Sequence, residues 1–171
     1  MEVAVKYCES EDGIQYNTTQ DIINVVSYIT NPEATFGMIG TIGISLENYL
    51  SEMVMLKEAY DQIVDRQVVH LIVSSKEFRF LDYNEMMRSA FEIGMFYGIE
   101  HQVIFGIHHY RKGTPSPKNM HIHYIINSIN YMNGKYLFPD TYRQRLFKRH
   151  VMELYKRYGL QEYYDIYHSF G

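Results

Sequence analysis

The sequence holds a single cysteine, Cys8, so neither an intrachain disulfide nor a paired-thiolate zinc finger can form. No apolar run approaches the roughly 18 residues that a membrane span requires, because charge or glycine soon interrupts each one. The opening MEVAVKYCESEDG lacks the basic-then-apolar order of a signal peptide. Internal repeats and low-complexity tracts are missing as well. These absences point to a cytoplasmic protein. What is present is a soluble globular composition, 46% hydrophobic and 21% charged over 171 residues. That length predicts one domain spanning 1–171 with a buried core.

The net charge is −4, which by itself argues against a polyanion partner. Its distribution argues otherwise. Residues 1–100 hold 6 Lys and Arg against 16 Asp and Glu, whereas residues 101–171 hold 10 against 4. Such asymmetry fits either a polyanion-facing surface or a basic, solvated helix.

Short β-branched runs alternate with helical periods. Val3 to Tyr7 reads as an edge strand. Residues 18–30 read as a helix, with a capping box at Thr18 and Asp21 and an apolar stripe of Ile22, Val25, Val26 and Ile29. Pro32 ends it. Phe36 to Ser45 suggests a strand. A second helix after Ser45 is expected to bury Leu50, Met53, Val54, the stem of Lys57, Tyr60 and Val64. Val68 to Val73 has the β-branched content of a buried strand. Asp82 and Glu85 open a third helix carrying Met87, Ala90, Phe91, Gly94 and Met95, with Gly98 as its C-terminal cap. Gln102 to His108 and Met120 to Ile129 are two further strands, joined by a loop reading RKGTPSPKN. Asn133-Gly134 predicts a hairpin returning through Tyr136 to Phe138. Pro139 suits the first turn of a last helix and Gly159 its end. The pattern predicts an α+β domain, a central antiparallel sheet flanked by helices, with the run MHIHYIIN inside the sheet.

His121 and His123 stand two apart in that run, and the period-2 pleat puts both imidazoles on one face. Antiparallel pairing across the RKGTPSPKN loop brings His108 or His109 back beside His121. Three imidazoles leave coordination positions open, as a catalytic metal requires, with ring nitrogens about 3–4 Å apart. Ser74 and Ser75, ending VVHLIVSS, are hydroxyls that bind phosphate oxygens or cap a turn. The last helix carries Arg143, Arg145, Lys148, Arg149, Lys156 and Arg157, able to neutralise phosphates in a salt-sensitive way. Arg111 and Lys112 in the loop, Asn127 in the MHIHYIIN run and Lys135 in the turn extend this set of candidate DNA contacts. The basic residues of 101–171 are expected to share the face of the histidines. Tyr28 lies at the margin of the first helix's stripe, where a ring packs and its hydroxyl stays wet.

The order SYITNPEAT, VVHLIVSS, HQVIFGIHHY, MHIHYIINSINYMNGKYLF resembles the relaxase and mobilisation nuclease family of the HUH endonucleases. The likeness runs from about residue 20 to the turn after Gly134. Its most specific part is the strand-borne HxH pair, the following Asn127 and the Asn-Gly-Lys turn. The resemblance implies an HUH/RRM-like (ferredoxin-like) fold, with Tyr28 as nucleophile and His108, rather than His109, joining His121 and His123 as metal ligands. It also implies Mg²⁺ or Mn²⁺ as cofactor and single-stranded DNA at an origin of transfer as substrate. Nicking there would leave a 5′-phosphotyrosyl link for plasmid or conjugative mobilisation, with accessory mobilisation proteins as partners. Relatives usually place an aspartate two residues after the first histidine, where this chain has Tyr110, and their intervening loop is shorter. Two other readings share these features: a rolling-circle initiator or transposase of the same superfamily, and a non-catalytic single-stranded DNA-binding accessory protein.

Overall fold

The computed structural model describes residues 3–8, 16–111, 114–115 and 120–158. Five strands form one antiparallel sheet: β1 (Val3–Tyr7), β2 (Ile39–Ile42), β3 (Val68–Ser75), β4 (Val103–His108) and β7 (His121–Asn127). Their order is β1-β3-β7-β4-β2, which puts the HxH strand at the centre. Between β4 and β7, β5 (Tyr110–Arg111) and β6 (Thr114–Pro115) make a small two-stranded ladder. The helices are α1 (Thr19–Ile29), the one-turn α2 (Pro32–Thr35), α3 (Tyr49–Ala59), α4 (Tyr83–Gly98) and α5 (Thr141–Arg157). This is the α+β, ferredoxin-like arrangement expected.

Strand alternation divides the core into two layers. Leu71, Val73, Phe105, Ile107, Ile122, Tyr124 and Ile126 point to one face and pack with Met86, Ile93 and Tyr97 of α4 and Phe147, Val151 and Leu154 of α5. Val68, Ile104 and Ile125 point to the other face, under Ile22, Val25, Val26 and Ile29 of α1 and Met53 of α3. Burying each α1 side chain contributes roughly 1.5–3 kcal/mol. The α1 capping box is formed as expected, with the Thr18 hydroxyl accepting from the Asp21 N–H and the Asp21 carboxylate accepting from the Thr18 N–H. Asp82 and Glu85 do the same for α4.

Several elements differ from the sequence expectation. Between Phe36 and Ser45 only Ile39–Ile42 is strand, because Phe36 caps α2 in the left-handed region (φ 49°) and Gly43 (φ 66°) turns the chain away. The second helix stops at Ala59, before Val64, and the left-handed Asp61 follows; of the expected stripe only Met53 and Lys57 are fully buried. On α4 the buried stripe is Met86, Ala90, Ile93 and Tyr97, leaving Phe91 45% exposed, and the C-cap is Ile99 instead of Gly98. The Asn133-Gly134 turn returns through one bridge, Ile129 to Tyr136, with no strand over 136–138. The α5 cap is Asp140, so Pro139 precedes the helix instead of opening it. Gly159 lies outside the described residues. No helix among the described residues is long and apolar enough to cross a membrane.

Candidate metal centre

β4 and β7 pair so that His108 stands directly opposite His121 and Gly106 opposite His123. The alternation therefore delivers His108, His121 and His123 to the α1 side of the sheet. Ring centroids lie 5.4 Å apart for His108 and His121, 4.4 Å for His108 and His123, and 4.8 Å for His121 and His123. One nitrogen from each lies within 4.8 Å of the other two, where about 3–4 Å was expected. His109 points elsewhere: its Nε2 is 2.9 Å from the Met38 sulfur and its ring meets Phe36.

Each buried imidazole has a distinct anchor. The His108 Nε2–H donates to the Ile29 carbonyl at 3.1 Å, which leaves Nδ1 as its lone pair. That carbonyl ends α1 and has no helical N–H partner, so the helix terminus and the histidine satisfy one another. A backbone oxygen thus holds His108 in orientation, the task otherwise given to a carboxylate. Gly106 makes the contact possible, since an added Cβ would collide with the same Ile29 oxygen. The His123 Nδ1 sits 2.9 Å from His70 Nε2, and His70 Nδ1 sits 2.7 Å from the Tyr16 hydroxyl. The remaining His123 nitrogen, Nε2, is buried and has no hydrogen-bond partner among the described residues. A buried orphan on a ring that faces two other imidazoles fits a metal ligand. Burial lowers the pKa of His108 to about 4 and pushes His123 down further, with neighbouring histidines adding to both. Both rings are neutral at pH 7, the form that binds cations.

Tyr28, in the last turn of α1, places its ring edge-on against both His108 (5.3 Å) and His123 (5.4 Å) and remains 55% exposed. Another tyrosine, Tyr131, is engaged through its hydroxyl with the Gly98 and Ile99 carbonyls at the opposite end of the sheet. The side chain of Tyr110 lies outside the described residues.

The candidate DNA contacts scatter. Ser74 pairs with His121 across the ladder and shares the histidine face. Ser75 points to the other face, where its hydroxyl caps the 3₁₀ turn Lys76–Phe80 and bonds Glu77, so it serves structure. Asn127 is fully buried, donating to Gln102 and accepting from the Ile129 N–H, six residues along β7 from His121. Lys135 is exposed in the turn beyond that same end. Arg143 and Lys148 ride on α5, which covers the face opposite the histidines. The expectation that the basic last helix shares the histidine face is therefore corrected: Phe147, Val151 and Leu154 seat α5 against the α4 layer. The side chain of Arg111, and Lys112 entirely, lie outside the described residues.

Sequence reasoning missed His70, Tyr16, the Ile29 carbonyl and Gly106. One signal was available, since His70 is the single ring nitrogen-bearing residue inside VVHLIVSS and a buried imidazole requires partners. No curated protein matches the chain. The family model described as relaxase, MobA/VirD2-like, nuclease domain, matches residues 28–160, a segment that opens on Tyr28 and includes all three histidines. The chain belongs to the MobA/VirD2-like relaxase nuclease-domain family.

Proposed function

We propose that this chain nicks single-stranded DNA at an origin of transfer, using Tyr28 as nucleophile and His108, His121 and His123 as ligands of Mg²⁺ or Mn²⁺. The observation that carries the reading is Tyr28 itself: a half-exposed phenol whose ring rests on two of the three clustered imidazoles. A phenol is a weak nucleophile until it loses its proton, so its placement matters as much as its identity. α1 supplies that placement, because Ile29, the next residue, is buried and its carbonyl is held by His108. His108, His121 and His123 would hold a divalent cation, which would supply positive charge to stabilise the transition state at the scissile phosphate. Attack forms the Tyr28 Oη–P bond and breaks the P–O3′ bond. The 3′ oxygen leaves as a free hydroxyl, the proton it gains balancing the one Tyr28 gives up, and the 5′-phosphotyrosyl link keeps the bond for later rejoining. Ser74, the ladder partner of His121, would bind a flanking phosphate in this reading.

The test is adduct formation with a labelled single-stranded oligonucleotide pool, Mg²⁺ or Mn²⁺, and a denaturing gel. Wild type should give a metal-dependent, protein-linked band, and Tyr28→Phe should reduce its rate by at least about a hundredfold with folding intact. An undiminished band in Tyr28→Phe would assign the chemistry to another tyrosine. No band from wild type with either metal would favour the accessory DNA-binding protein.

A further inference from the structure

We propose that His70 is a positioning residue that sets the tautomer of His123, through a relay running Tyr16–His70–His123. The inference rests on the reading of His123 as a ligand, and its geometry is independent of that reading. All three members are at least nine-tenths buried, at 3%, 5% and 2% exposure. Both ring nitrogens of His70 are engaged, Nδ1 with the Tyr16 hydroxyl at 2.7 Å and Nε2 with His123 Nδ1 at 2.9 Å. The two imidazole centroids are 5.2 Å apart with planes inclined by 32°.

Two neutral imidazoles joined by one N···N contact share a single proton there, so the relay has two directions. In the first, Tyr16 donates to His70 Nδ1 and His70 Nε2–H donates to His123 Nδ1. The proton of His123 then lies on Nε2, which has no acceptor among the described residues, and the bond leaves a buried N–H stranded. In the second, His123 Nδ1–H donates to His70 Nε2 and His70 Nδ1–H donates to the Tyr16 oxygen. His123 Nε2 then carries a bare lone pair on the face it shares with His108 and His121. No proton enters or leaves between the two, and only the second can ligate a cation. The structure favours the second because, among the described residues, nothing accepts a hydrogen bond from an Nε2–H. His108 has no comparable choice, because a carbonyl can only accept.

The test uses the whole chain, ¹⁵N-labelled, with imidazole tautomers read by long-range ¹H–¹⁵N NMR without metal and with Zn²⁺ as a diamagnetic probe. Mn²⁺ affinity is measured separately by electron paramagnetic resonance. Wild-type His123 should be protonated on Nδ1 in both NMR states. His70→Leu should move it toward the Nε2–H form and weaken Mn²⁺ binding by about 10–100-fold. His70→Gln, whose carbonyl accepts from His123, should hold the wild-type tautomer and stay within about threefold in affinity. If His70→Leu fails to fold, Tyr16→Phe tests the same relay from two bonds away. Removing the acceptor for His70 Nδ1–H should reverse the relay and put His123 in the Nε2–H form. Nε2–H in wild type, or an Nδ1–H tautomer that survives both His70→Leu and Tyr16→Phe, would overturn the proposal. Absent Mn²⁺ binding with the expected tautomers would instead overturn the metal reading and leave the relay standing.

Discussion

His108 and His109 are neighbours in sequence with opposite assignments, and the strand pleat separates them. His108 is turned onto Ile29 and the cluster, while His109 is turned onto Phe36 and Met38. Replacing His108 by Ala should weaken Mn²⁺ binding by more than about tenfold, on the scale of losing a ligand or its support. His109→Ala should leave it within about twofold. Equal losses in the two variants, measured by titration, would mean that the cluster recruits either ring. At this scale the His121 and His123 pair was legible because period 2 is the simplest rule a strand obeys. The choice of His108 over His109 came from resemblance, and the pleat turns His108, not His109, toward the pair. His70 was not legible as a member of the site, because its contact with His123 depends on a diagonal reach between neighbouring strands.

The C-terminus of α1 and the middle of β4 approach so closely that only glycine fits at position 106. Gly106→Ala should push the Ile29 carbonyl away and destabilise the fold by about 1–3 kcal/mol, the usual range for overpacking. It should also release the His108 ring and weaken Mn²⁺ binding. A urea midpoint and a metal titration read the two effects separately; wild-type values in both would show that α1 can yield without disturbing the site. Helix starts were the most legible elements, since Thr18 with Asp21 and Asp82 with Glu85 are local chemistry. Helix faces were less so. On α4, Met87, Phe91 and Met95 compete with Met86, Ile93 and Tyr97 for the core, and sheet packing decides between two apolar stripes.

Across the whole molecule, burial keeps several histidines neutral. His70 and His108 are held down at about 4, and His101, His109 and His123 are lowered as well, chiefly by desolvation. With folded-state values below the unfolded value of roughly 6.5, the unfolded chain takes up more protons as pH falls through this window. Stability should therefore be full above about pH 6.5 and decline toward about pH 4. Urea midpoints at pH 7.5 and 4.5 check this, and His70→Gln should flatten the decline; a profile without slope would sink it. The charge asymmetry belongs to the same scale. With α5 across the sheet from the histidines, an oligonucleotide of a few nucleotides should bind Arg143→Ala/Lys148→Ala with the wild-type salt slope. A strand long enough to pass round the sheet should lose about 0.7 of slope per missing contact. A lowered slope for the short strand would show that α5 and the histidines share one track. The sequence revealed the asymmetry in charge; it did not reveal which layer would carry the basic helix, because that depends on how α5 crosses the sheet.

The pairing of His108 with His121 as direct ladder partners has a consequence for engineering and for divergence. Cross-strand neighbours keep their spacing however far the chain travels between them, because the sheet enforces it from below. Doubling the intervening segment costs only about 0.6 kcal/mol in closure entropy. The stretch between these two histidines is thus a socket in which length and composition can drift while the donors stay fixed. Grafting a foreign peptide or a small reporter domain there should leave the three imidazoles together.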